Sequence, residues 1–156
     1  MAKLTPFLWF DADLREVYDY YARIFPGTRR VSATEAPEGV DGGFGPLTLE
    51  FEILGQRFAA LNGGRRAAFT EAVSLAVTVD TQEEVDRYWD ALTADGGEES
   101  MCGWLKDRYG LSWQITPVQL LHGMSNPDPA VAARVARAMM TMRKIVIADV
   151  EAAARG

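Results

Sequence analysis

The chain is short of the residues that metal and redox chemistry use. Its 156 residues include one cysteine, Cys102, and one histidine, His122. A single cysteine excludes an intramolecular disulfide and fits a reducing cytoplasm. A single histidine excludes any site that needs two imidazoles from one chain. Basic residues are outnumbered, 16 against 22 acids, for a net charge of −6. That balance speaks against nucleic acid as a partner, because phosphate binding needs a basic surface. No apolar run approaches the ~18–20 residues needed to cross a bilayer, so no membrane partner is expected. The first residues, Met1 to Pro6, lack the long apolar segment of a signal peptide. What is present, 48% hydrophobic and 24% charged residues, is an ordinary globular mixture.

Thr5-Pro6-Phe7-Leu8-Trp9-Phe10 reads as a buried strand, closed by Asp11-Ala12-Asp13, where Asp11 or Asp13 can cap a helix. Leu14, Val17, Tyr21, Ile24 and Phe25 form that helix's apolar stripe, and Pro26-Gly27 ends it. Arg29 to Thr34 reads as a strand and Glu35 to Gly45 as a glycine-rich loop. Leu47, Leu49, Phe51 and Ile53 alternate with Thr48, Glu50 and Glu52, and Arg57 to Asn62 completes a hairpin. Val73 to Val79 then starts the pattern again. A helix carrying Val85, Tyr88, Trp89 and Leu92 follows, and Leu111 to Thr116 is a closing strand. The remainder is helical, capped by Asp128 or Asn126, with one apolar stripe running from Val131 to Val146.

The halves match. Phe10-Asp11 pairs with Val79-Asp80 at an offset of 69, and Glu16-Val17 and Tyr20-Tyr21 pair with Glu84-Val85 and Tyr88-Trp89 at 68. Since the order of elements also repeats, an internal duplication is expected. The α+β chain should be a single domain over 1–156. Module one would be about 1–64 and module two about 72–117, each in the order strand–helix–strands, with a C-terminal helical extension at about 118–156.

These stretches, with Phe58 to Gly64, Glu71 to Leu75, Gln82 to Asp86, Cys102 to Asp107, Tyr109 to Gln114 and Asn126 to Pro129 with the helix after it, resemble the vicinal oxygen chelate superfamily. This is the superfamily of glyoxalase I, bleomycin-resistance proteins and extradiol dioxygenases. Within it the sequence is most similar to the PhnB-like group, often labelled a 3-demethylubiquinone-9 3-methyltransferase domain. The resemblance implies two βαβββ modules curling into a ligand cup, often around a metal held by His and Glu from the first and fourth strands. Those places fall here on Thr5 or Pro6, near Ala60 to Asn62, on Ser74 and on Gln114. None supplies an imidazole or carboxylate, so a cup without metal or other cofactor is expected.

Phe7, Trp9 and Trp104 would then be apolar walls, and Asn62, Ser74 and Gln114 neutral polar groups orienting a ligand. The same residues could instead be core and sheet ties. The resulting expectation is a small-molecule binding protein, a cytoplasmic homodimer with no assigned reaction. The alternative is an enzyme, a glyoxalase-like lyase or isomerase, or the methyltransferase of the family label. No glycine-rich strand-to-helix turn supports the label. Cys102 reads as an inert thiol, His122 as a surface or helix-end residue, and Glu50 with Glu52 as a solvated strand face.

Overall fold

A computed structural model describes residues 2–39 and 45–156. Residues 40–44 of the Glu35–Gly45 loop lie outside this range. The chain divides into two compact units, residues 1–68 and 69–156.

In the first unit, β1 (Phe7–Phe10) is followed by α1 (Leu14–Ile24), β2 (Arg29–Thr34), β3 (Thr48–Ile53) and β4 (Gln56–Asn62). Of the two candidate caps, Asp13 is the one used, its side chain accepting from the Arg15 N–H. The strands lie in the order β1-β4-β3-β2, with β1 parallel to β4 and the other pairs antiparallel. Leu14, Val17, Tyr21 and Ile24 of α1 are buried, together with Leu8, Phe10, Leu49, Phe51 and Phe58 of the strands. The rings of Tyr21, Phe51 and Phe58 stack in series, with centroids 6.2 Å and 5.9 Å apart. Each such side chain withdrawn from water contributes about 1.5–3 kcal/mol.

The second unit repeats the plan with β5 (Ser74–Val79), α2 (Gln82–Thr93), β6 (Glu98–Glu99), β7 (Trp104–Lys106) and β8 (Ser112–Pro117), in the order β5-β8-β7-β6. Thr81 and Glu84 form a reciprocal capping box at the start of α2. Val85, Trp89 and Leu92 are buried along with Val77, Val79, Leu105, Trp113 and Ile115. Both sheets thus have the βαβββ order, and the chain has the glyoxalase and bleomycin-resistance-like α+β fold with a C-terminal helical segment. The rung joining Arg29 to Glu52 in the first sheet recurs as Glu98 opposite Lys106 in the second, with the charges exchanged.

Two elements escape the sequence pattern. Glu98-Glu99 is a strand of two residues, too short to show a period. The C-terminal segment is three helices, α3 (Val118–Met124), α4 (Pro129–Met140) and α5 (Ile147–Arg155), where one apolar stripe ran unbroken. Asp128 caps α4. The break after Met140 has a cause elsewhere. The Met142 and Arg143 carbonyls turn out of the helix to accept the N–H groups of Cys102 and Gly103, at 2.7 and 2.8 Å. Val135 and Ile145 of the stripe join Leu120 and Val150 in one small core, with Val131, Met139 and Met142 packed against it, whereas Val146 is exposed.

Candidate functional site

Strand alternation decides which side chains can meet. In the second sheet, Leu75, Val77 and Val79, Trp113 and Ile115, and Leu105 face α2. The opposite face carries Ser74, Ala76 and Thr78 from β5, Ser112, Gln114 and Thr116 from β8, and Trp104 and Lys106 from β7. The register sets Trp104 beside Gln114 and Lys106 beside Ser112, with Ser74 beside Ser112 and Ala76 beside Gln114. Gln114 Nε2 donates to Ser74 Oγ at 2.7 Å. Ser74, Trp104 and Gln114 therefore share one half-buried face. Next to them is a pocket of about 290 Å³ lined by Glu71, Ser100, Trp104, Leu105, Lys106 and Ser112.

Charge and an unused hydroxyl mark this pocket. Lys106 Nζ lies 2.8 Å from Glu71 Oε1. That hydrogen bond holds the Glu71 carboxyl below its usual range, and the same bond raises Lys106. Ser112 is 1% exposed, yet its Oγ has no hydrogen-bond partner among the described residues. A buried hydroxyl in that state costs stability. Sequence reasoning passed over Ser112, Lys106 and Glu71. The signal was available: Ser112 precedes Gln114, and Lys106 follows Trp104, by two residues, which puts each on its neighbour's face.

The other three expected site residues are in the first unit. Phe7 and Trp9 are on the face turned away from α1, where Phe7 is 61% exposed. Trp9 is tied down: its Nε1 donates to the Gly64 carbonyl at 2.8 Å, and its ring lies so close over Gly63 that a Cβ there would meet it at 2.2 Å. Asn62 lies beside Phe10 in the register, buried to 9% exposure. It is therefore on the opposite face of its sheet from Trp9, and β1 and β4 do not bring the two side chains together. A β-bulge at Val31 carries Arg29 and Ser32 to one face of β2, where they bond Glu52 and Glu50, and Arg57 also bonds Glu50. Glu50 and Glu52 do share one face, each spoken for by an arginine. His122 is exposed in the last turn of α3.

The positions that hold a metal in the superfamily do not fit one here. Ser74 and Gln114 hydrogen-bond to each other, and matching registers give Gln114's place in the first sheet to Ala59, not to Ala60 or Asn62. Hydroxyl, amide and methyl groups are poor ligands for transition metals. Among the described residues no three of His, Cys, Asp and Glu converge on a common point.

Comparison with known proteins places this architecture. The 3-demethylubiquinone-9 3-methyltransferase family matches residues 2–116, ending within β8 and short of the Asn126–Pro129 stretch. The solved structure of the PhnB protein of Bacillus cereus is 32% identical; the match covers 74% of this chain and 99% of that one, with a TM-score of 0.66. Protein PA1353 of Pseudomonas aeruginosa is 20% identical over 75% of this chain and 98% of its own, with a TM-score of 0.62. The fosfomycin resistance protein FosX of Listeria monocytogenes is 16% identical over 75% and 93%, at 0.53, and has also been solved with manganese(II) and sulfate. No curated relative matches the chain. With the family matched over β1 to β8 and the same module built twice, the chain belongs to the 3-demethylubiquinone-9 3-methyltransferase family of PhnB-like proteins, within the vicinal oxygen chelate superfamily.

Proposed function

We propose that the chain is a small-molecule binding protein whose ligand lies on the face of the second sheet turned away from α2. It works without a metal, as a cytoplasmic homodimer. Trp104 supplies an apolar wall, and Ser74, Gln114 and Ser112 supply the polar groups that orient the ligand. The observation that carries this reading is Ser112: a fold selected for stability alone has no use for a buried hydroxyl with no partner, whereas a ligand can supply one.

The methyltransferase named in the family description has less support. The turns that lead from a strand into α1 and α2 are Asp11–Asp13 and Asp80–Thr81. Neither contains the glycines that let a nucleotide-like donor approach a helix N-terminus. Acids at both turns would repel phosphate.

Ser112→Ala tests the reading. Deleting a hydroxyl that has no partner should leave the unfolding free energy unchanged or raise it by about 1 kcal/mol. The same change should weaken fragments found by NMR screening, with their shift perturbations centred on residues 104, 112 and 114. A variant that loses stability and binds every fragment as before would refute the assignment.

A further inference from the structure

The pocket beside Trp104 already contains a carboxylate. Glu71, in the segment ahead of β5, reaches Lys106 with an Oε1–Nζ distance of 2.8 Å, its own side chain 67% exposed and that of Lys106 35% exposed. Behind this pair is Ser112, Lys106's rung partner on β8, with its hydroxyl unused. Trp104 is the next residue of β7 on the same face. A cation, a vacant hydroxyl and a flat apolar wall thus occupy adjoining positions, and the group now facing the cation comes from the chain's own surface.

We propose that Glu71 is a displaceable internal occupant of this pocket. The ligand is a small molecule with a carboxylate on a flat apolar body, and its carboxylate replaces that of Glu71 at Lys106. This rests on the binding function proposed above and adds the ligand's class.

Three features support the exchange. An ion pair between exposed side chains contributes little net free energy, so displacing Glu71 costs little. Glu71 lies outside every strand and helix, so its side chain can swing away without breaking a ladder. A carboxylate has lone pairs for both Lys106 and Ser112, whereas Glu71 makes no bond to Ser112. Glu98, on the other side of Lys106 in the register, is exposed and stays in solvent.

Benzoate and benzamide test this directly, because they match in size and shape and differ in charge. Each is titrated by calorimetry into the full chain and into its Glu71→Gln, Lys106→Gln and Trp104→Leu variants. Benzoate should bind more tightly than benzamide. Glu71→Gln should tighten benzoate by a factor of about 2–5, the scale of an exposed ion pair, and leave benzamide unchanged. Lys106→Gln should abolish the preference for benzoate, and Trp104→Leu should weaken both probes. If Trp104→Leu weakens both probes but Glu71→Gln changes neither, the internal-occupant proposal falls and the pocket stands. If neither probe binds, both fall.

Discussion

Asp107 shows how one residue can hold a site without belonging to it. It is 2% exposed. Its Oδ1 accepts the N–H groups of Tyr109 and Leu111 at 2.9 and 3.1 Å, and its Oδ2 accepts Trp113 Nε1 at 2.9 Å. The carboxylate closes the turn between β7 and β8, and so sets the rungs that put Trp104 beside Gln114 and Lys106 beside Ser112. Asp107→Asn would turn an amide NH2 toward the indole N–H, leaving two donors facing each other in the interior. It should cost about 1–3 kcal/mol in urea unfolding, the penalty for stranding a buried donor; an unchanged midpoint would contradict this account. The sequence reached Trp104, Gln114 and Ser74 through the family resemblance, and the strand registers set the three on one face. Asn62 faces the other way in its own sheet: a shift of one position along a strand reverses the face, and only the pairing of Phe10 with Asn62 fixes the parity. The role of Asp107 was hidden for another reason: its partners are backbone N–H groups, and no sequence pattern displays them.

Among the elements, strands and helices packed on one side were the most readable, since periods of 2 and 3.6 residues mark them directly. The C-terminal segment hid its break because its apolar stripe persists across the interruption, which is stabilised by N–H groups from residues 102 and 103. Its placement against α2 rests on polar contacts. Gln82 Nε2 donates to the Ile145 carbonyl at 3.1 Å, and Gln82 Oε1 accepts the Ile147 N–H at 2.8 Å. Lys144 Nζ lies 2.9 Å from Asp86 and 3.3 Å from Asp90. The hydrogen bond from Lys144 holds the Asp86 carboxyl below its ordinary value. A carboxyl whose folded pKa is depressed adds stability above its unfolded pKa, and loses it as pH falls through the folded value. Asp86→Asn should therefore be less stable than the unaltered chain at neutral pH. The gap should close on acidification below about pH 4, where unperturbed aspartates protonate, and shrink with added salt because the pair is exposed. A gap of equal size at neutral and acid pH would show that Asp86 acts through something other than its charge.

At the scale of the whole molecule, this chain shares its fold with a protein solved with manganese(II), yet its own residues give a metal little to hold. The fold fixes where the first and fourth strands of each sheet run. It does not fix what stands on them, and fold alone does not imply chemistry. In the second sheet those places hold Ser74 and Gln114, bonded to each other, and a metal would have to break that bond and gain only neutral oxygens. Ala59 has no donor atom in its side chain, and Cys102 and His122 stand apart, in the turn before β7 and on the exposed end of α3. Binding confined to the folded state raises stability by RT ln(1 + [L]/Kd), about 2.7 kcal/mol at a hundred times Kd, so a specific site would announce itself in thermal unfolding. Millimolar manganese(II) should leave the melting temperature of the purified chain where chelator-treated protein has it. Elemental mass spectrometry after desalting should find well under one transition metal per chain. A rise in melting temperature that saturates with manganese and is lost in a Ser74→Ala, Gln114→Ala double variant would reverse the conclusion, and place a metal on the face assigned here to an organic ligand.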